Sequence, residues 1–214
     1  MAGTIITVAQ QKGGAGKTTL AAHLALAWAV MGRRVAVIDI DPQASLSTWF
    51  GRRGAGGPEI HVVAITGWRV AAEVERQART HDIVLIDTPP HAATEARLAV
   101  RAASLVLVPV QPSPMDLWAT RATLDLAQAE GVPALLVLNR VPARAKLTEA
   151  MVAEFRALGV ALARSQVGNR VALTAALAEG KGIAEAARGS RAAAEIDALA
   201  VEVLGAAESA LRVA

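Results

Sequence analysis

The chain has no cysteine and no tyrosine, and only two phenylalanines and four tryptophans among its 214 residues. The missing cysteine excludes disulfides, thiolate zinc sites and Cys-ligated iron–sulfur clusters, and makes the cytoplasm the natural compartment. Because 53% of the residues are nonetheless hydrophobic, the core must be built from Ala, Val, Leu and Ile, the composition of strands covered on both faces by helices. No uninterrupted run of about eighteen apolar residues occurs, and no charged segment precedes a long apolar stretch at the start, so neither a membrane span nor a secretion signal is expected. No Pro/Ser-rich linker or charge block divides the sequence, and a single domain over residues 1–214 is expected.

What is present is organised around Gln10 to Thr19, QQKGGAGKTT, which follows the apolar run Ile5 to Ala9. Gly13, Gly14 and Gly16 have no Cβ, so the backbone through Ala15 can turn tightly and aim successive N–H groups at one point. A helix beginning near Lys17 and continuing through Thr19 adds its positive N-terminal dipole there. Such a cradle suits a polyphosphate. Lys17 would reach the terminal phosphates, and the Thr18 hydroxyl is placed to ligate a bridging Mg²⁺. The usual spacing puts a glycine at position 11; here Gln11 stands there, followed by an additional lysine, Lys12. Two neighbouring cations repel unless a polyanion lies between them, so Lys12 is read as serving phosphate, its own or a partner's.

Strands and helices alternate along the rest of the chain, which predicts a doubly wound, mostly parallel α/β sheet with helices on both faces. Val35 to Ile40 ends at Asp39 and Asp41, and Ile83 to Ile86 ends at Asp87. Strand carboxyl ends face the ligand crevice in open α/β sheets, so these acids belong near the phosphates, with Asp87 in the form of a Walker B acid and Asp39 beside the metal. His91 follows at once, but a lone loop histidine is more often a bystander than a base. Trp49 and Trp68 are read as packing residues, Gly51 to Pro58 as a mobile loop, and Asp116 as the N-cap of a helix running to about Glu130. Asn139, at the end of another apolar run, offers the donor and acceptor that suit an adenine edge.

With QQKGGAGKTT, VIDIDPQ and LIDTPP in order, the sequence resembles the ParA/MinD group of deviant-Walker-A P-loop ATPases over nearly its whole length. It is most similar to small ParA proteins of the ParF type, on PVQPSPMDL and on SQVGNRVAL to GKGIAE as well. The resemblance implies that two subunits sandwich two ATP molecules, that Lys12 contacts phosphate on the other subunit, that Lys17 and Thr18 hold phosphate and Mg²⁺, that Asp41 orients the attacking water and that Asp87 is the Walker B acid. Asn139 matches an adenine-contacting asparagine of MinD relatives. The absent cysteines set the chain apart from iron–sulfur members of the group. Residues 192–214 hold one arginine against four acids and no aromatic, unlike a basic amphipathic membrane anchor, so no membrane partner is expected.

Net charge is only +3, yet residues 140–191 carry nine basic and four acidic groups, a local +5. Arg156, Arg164, Arg170, Arg188 and Arg191 are the candidates there for DNA phosphates. The expectation is a cytoplasmic switch ATPase with ATP/ADP and Mg²⁺ as cofactors, slow until stimulated by a ParB-type or centromere-binding activator. Its ATP-bound homodimer would bind DNA without sequence preference, associate with the nucleoid and position a plasmid, chromosome or protein cargo. The alternative is a metabolic P-loop enzyme, such as a ligase of the dethiobiotin-synthetase type, on the same fold.

Overall fold

A computed structural model describes residues 3–54, 56–66, 69–90, 93–143 and 146–213. Seven strands form one sheet: β1 (Thr4–Val8), β2 (Val35–Asp39), β3 (His61–Ala64), β4 (Ile83–Asp87), β5 (Leu105–Val110), β6 (Ala134–Leu138) and β7 (Ala161–Leu162). Their order is β3-β2-β4-β1-β5-β6-β7, and every pairing is parallel. All residues of β2, β4 and β5 are buried, which is why these strands read as continuous apolar runs rather than alternating ones.

Nine helices are described: α1 (Lys17–Val30), α2 (Ser45–Gly51), α3 (Val70–Ala78), α4 (Ala93–Arg101), α5 (Pro114–Ala129), α6 (Lys146–Arg156), α7 (Val171–Ala178), α8 (Ile183–Ala186) and α9 (Arg191–Val213). One face of the sheet, through Ile6, Val8, Val37 and Leu85, packs on α1 and α9 with Leu24, Trp28, Ile196 and Leu199. On the other face, Ile38 and Ile86 meet Val70 and Val74 of α3, and Val106 and Leu136 meet Phe155 of α6. The sequence suggests one buried stripe on α1 at Leu20, Leu24 and Ala27; in fact every residue from Leu20 to Trp28 is buried. Four alanines in that stretch let sheet, α8 and α9 approach from all sides, and the Trp28 indole N–H finds its acceptor on the Ala200 carbonyl, 3.0 Å away.

Three helices, α2, α4 and α8, go beyond the sequence expectation. The α2 segment begins at Ala44, in the left-handed region with φ 48 and no side-chain cap, so nothing in its own composition announces a start. The buried face of α4 is Ala96, Ala99 and Val100, and α8 is a single turn. The N-cap of α5 is Ser113, whose hydroxyl accepts the Asp116 N–H at 3.2 Å, not Asp116 itself; Pro114 occupies the first turn, where its missing N–H costs nothing. The loop expected to be mobile is fastened at Arg53, which donates to Glu185 at 2.9 Å and to the Gly180 carbonyl at 3.2 Å. Trp49 packs as expected, edge-on to Phe50, and donates to the Leu177 carbonyl at 2.7 Å. Trp68 and His91 lie outside the described residues. No described helix is long and apolar enough to cross a membrane.

Candidate functional site

The parallel register sets three tips side by side: Val8 pairs with Asp87, and Asp87 with Asp39. The loop after β1 therefore rises beside two carboxylates before entering α1. Gly14 and Gly16 hold φ of 79 and 91, a region that L side chains rarely adopt. At Gly16 space is also closed, since a Cβ would stand 2.5 Å from Asn139 Nδ2. No side chain caps α1, which leaves its first backbone N–H groups for a ligand.

Three amide side chains hold the loop in shape. Gln10 is buried; its Nε2 donates to Thr120 Oγ1 at 3.1 Å, and its Oε1 accepts from the Thr123 hydroxyl and the Lys12 N–H, both at 3.3 Å. Gln111 Nε2 donates to the Gly14 carbonyl at 3.1 Å, and Asn139 Nδ2 to the Ala15 carbonyl at 2.8 Å. Asn139, expected at an adenine edge, is thus a brace of the phosphate loop, with its Oδ1 accepting the Arg140 N–H at 3.0 Å. Gln10, Gln111 and the α5 threonines were not singled out in the sequence; the signal was an amide at each of three neighbouring strand ends.

Lys17 is buried and donates to the Gln10 carbonyl at 3.0 Å. Burial lowers its pKa, while Asp87 and Asp41 pull it back up. Lys12 is bound within its own chain, to the carboxylate of Asp116. Asp116 is buried, and its other contacts are the Ser113 hydroxyl at 2.6 Å and the Gln111 N–H at 3.2 Å. The loop lysine is therefore partly exposed but not free, and Asp116 is the partner that the sequence did not reveal.

Asp87 is the anomaly of the site. It is buried, and neither carboxylate oxygen has a hydrogen-bond partner of ordinary geometry. Burial pushes its pKa up to about 7; Asp39 and Asp41 push the same way, against the Thr18 hydroxyl and Lys17. A buried carboxylate without donors is costly unless something else neutralises it. The pairing of Asp87 with the Thr18 hydroxyl is the oxygen donor set that Mg²⁺ takes when phosphates and waters complete its shell. No cluster of three or more acidic or imidazole ligands exists among the described residues. Asp39, expected beside the metal, is instead occupied: Oδ1 accepts the Asp41 N–H at 3.1 Å, and Oδ2 accepts the Ser47 N–H and hydroxyl at 2.8 and 2.9 Å. It anchors α2 and the turn that carries Asp41. Asp41 is half-buried and its Oδ1 accepts the Gln43 N–H at 2.9 Å.

The candidate DNA arginines divide. Arg170 and Arg191 both bind Glu195 of α9, through Arg170 Nε at 2.7 Å and Arg191 Nε at 3.2 Å. Arg156, Arg164 and Arg188 are exposed and in no ion pair among the described residues. They lie at the end of α6, after β7 and after α8.

Comparison with known proteins gives a consistent picture. Residues 6–183 match the family described as the CobQ/CobB/MinD/ParA nucleotide binding domain. The chain is 32% identical to the maintenance of carboxysome distribution protein A of Halothiobacillus neapolitanus over 93% of this chain and 95% of that protein. It is 31% identical to the chromosome-partitioning ATPase Soj of Thermus thermophilus over 96% and 97% respectively. Among solved structures, the septum site-determining protein MinD of Pyrococcus horikoshii, complexed with Mg-ADP, superposes with a TM-score of 0.78 at 21% identity, covering 94% of this chain and 95% of that one. At that identity the likeness is one of fold.

Proposed function

Since the chain belongs to the CobQ/CobB/MinD/ParA family of nucleotide-binding domains and is an ATPase of the ParA/MinD type, we propose that it is a Mg²⁺-dependent, ATP-switched dimer that positions a cargo on DNA. The observation that carries the ATPase reading furthest is the pairing of a braced phosphate loop with Asp87, a buried carboxylate that has no donor of its own. Backbone N–H groups from Gly13 to Thr19 and the Lys17 ammonium bind the phosphates. Thr18 and Asp87 hold the Mg²⁺, which supplies charge neutralisation at the phosphates. Asp41, on the turn fixed by Asp39, orients the attacking water.

A switch needs a face that changes with nucleotide. The start of α5 exposes Met115 and Trp118, 61% and 64%, on the helix whose buried Asp116 holds Lys12. Large exposed apolar side chains on the helix that holds the loop lysine support a second subunit docking there. For Lys12 to reach the partner's phosphate it must leave Asp116, and a newly arrived triphosphate is a stronger anion than one carboxylate.

The relatives' printed roles, carboxysome distribution and chromosome partitioning, support positioning as the task and leave the cargo open between a protein assembly and DNA. A ParB-type or other activator protein would accelerate hydrolysis, and the DNA-bound form would follow the nucleoid in the cytoplasm. In dimer closure Arg156, Arg164 and Arg188 of two subunits would add, giving sequence-independent affinity that falls with log[salt] by roughly −0.9 per phosphate contact. Electrophoretic mobility shifts on two unrelated duplexes, across a salt series with ATP and with ADP, test this. Binding with ATP only, equal on both duplexes, is expected; binding indifferent to nucleotide or absent with ATP contradicts the DNA-tethered switch.

A further inference from the structure

The turn that carries Asp41 is a short loop clipped shut by one pair of residues. Asp39, at the tip of β2, is 1% exposed, and its Oδ2 accepts both the N–H and the hydroxyl of Ser47, eight residues on, at 2.8 and 2.9 Å. Its Oδ1 accepts the Asp41 N–H at 3.1 Å. Inside the loop the Asp41 carbonyl accepts the Ala44 N–H at 2.8 Å, and Asp41 Oδ1 accepts the Gln43 N–H at 2.9 Å, which leaves Oδ2 unengaged among the described residues.

The post to which this clip is fastened is α2, and its own sequence holds it weakly. Only Leu46 of its seven residues is buried, and it starts at Ala44 with no side-chain cap. Its outer end is secured elsewhere: Trp49 donates to the Leu177 carbonyl at 2.7 Å, and Arg53, just past the helix, donates to Glu185 at 2.9 Å and to the Gly180 carbonyl at 3.2 Å. At the inner end Asp39 takes the place of the missing cap, because the Ser47 N–H is one of the first-turn donors that find no acceptor within a helix.

The Ser47 hydroxyl adds something that a cap alone does not. A carboxylate turns easily about its last torsion, and a second donor on Oδ2 fixes its plane, and with it the direction in which Oδ1 meets the Asp41 N–H. Asp39 pairs in register with Asp87, and Asp39 and Asp41 both act on Asp87 as like charges. Three acids so placed drive the turn outward unless donors hold it.

We propose that Ser47 is a positioning residue for hydrolysis: its hydroxyl fixes the Asp39 carboxylate, which fixes Asp41 where the attacking water is oriented. The inference rests on reading Asp41 as the residue that orients the water. In this role Ser47 contacts neither nucleotide nor water, so its hydroxyl contributes to turnover and not to nucleotide affinity.

Mg-ATP hydrolysis by the full chain, with Mg-ATP affinity from equilibrium titration, tests it on Ser47→Ala, Ser47→Thr, Thr48→Ala, Asp41→Ala and the variant that combines Ser47→Ala with Asp41→Ala. Ser47→Ala should lower kcat about tenfold with Mg-ATP affinity unchanged. Ser47→Thr keeps the hydroxyl and should recover most of the rate, and Thr48→Ala, at the exposed neighbouring position, should match the wild type. Ser47→Cys keeps the bulk but is a weak donor; it should behave as alanine does, and it carries the test if the alanine variant does not fold. In the Asp41→Ala background the loss of the Ser47 hydroxyl should cost less than about twofold more, since the group it positions is gone. Wild-type kcat in Ser47→Ala overturns the proposal. So does a loss of Mg-ATP affinity equal to the loss of turnover, or a combined variant about tenfold slower than Asp41→Ala, because either makes Ser47 act other than through Asp41. If Asp41→Ala itself hydrolyses as the wild type does, the water-orienting reading falls and the proposal falls with it.

Discussion

The tips of β1, β2 and β4 and the segment from Arg140 to Arg191 both concentrate charge, and the chain treats it in opposite ways. At the tips, Asp87 is buried with two oxygens that meet no donor at ordinary hydrogen-bond geometry, and Lys17 is buried with only a carbonyl at hydrogen-bond distance. In the later segment the half-buried arginine is neutralised by the chain itself, since Glu195 takes Arg170 and Arg191 together. A buried charge left without a partner marks the place of a ligand. A count of basic residues marks nothing until those engaged inside the chain are subtracted.

The largest effect should come from giving Asp87 a neutral side chain of the same shape. With its pKa raised to about 7, Asp87 binds its proton more tightly folded than unfolded, so the wild type loses stability as pH rises from the ordinary carboxylate range to about 7. Asp87→Asn lacks that loss and should melt higher at pH 8 without nucleotide, by at most about 4 kcal/mol. The same variant should lose Mg²⁺-dependent nucleotide affinity and turn over at least about 100-fold more slowly. Thermal melts and turnover assays on one preparation read both. Asp41→Ala sharpens the contrast: Mg-ATP affinity should stay near the wild-type value while hydrolysis slows, because the contact removed is made in the transition state.

His23 joins the two regions. It lies in α1, accepts the Ile183 N–H at Nδ1 (3.1 Å), and must therefore donate from Nε2 to the Leu173 carbonyl, also at 3.1 Å. Burial pushes its pKa down to about 4. The unfolded chain then takes up a proton between the ordinary histidine value and pH 4 that the folded one does not. His23 contributes stability that is fully present above about pH 6.5 and fades as pH falls toward 4, about 3 kcal/mol in all. Stability measured by urea unfolding should lose that pH slope in His23→Gln.

A smaller effect separates structural from available arginines. Glu195→Ala removes the partner of Arg170 and the acceptor of the Gly168 N–H at 3.0 Å, and should cost about 2 kcal/mol of stability. Arg188→Ala should leave stability within about 0.5 kcal/mol and reduce the salt slope of DNA binding by about one. If Arg170→Ala changes the slope while Arg188→Ala does not, the division between the two groups is reversed.

These contrasts also explain what the sequence could disclose. The phosphate loop, Lys17, Thr18 and Asp87 were legible because their chemistry is local: glycine spacing, a strand before, a helix after, an acid at a strand end. The alternating α/β architecture was legible for the same reason. Asp116 as the partner of Lys12, Asn139 as a brace on Ala15, and Glu195 as the acceptor of Arg170 all depend on contacts between residues 25 to 124 apart in the chain, which no local pattern encodes. The role of Asp39 needed α2 to be seen first, and α2 starts at a strained alanine with no capping signature.

The central claim, a lysine that exchanges its own Asp116 for a partner's phosphate, is tested most directly by light scattering on wild-type and Lys12→Ala protein with Mg-ATP and with Mg-ADP. The wild type should double in mass with ATP alone, and the variant should stay monomeric with either while nucleotide titration shows that it still binds. A Lys12→Ala protein that dimerises with ATP contradicts the exchange, and one that no longer binds nucleotide places Lys12 on the phosphates of its own subunit.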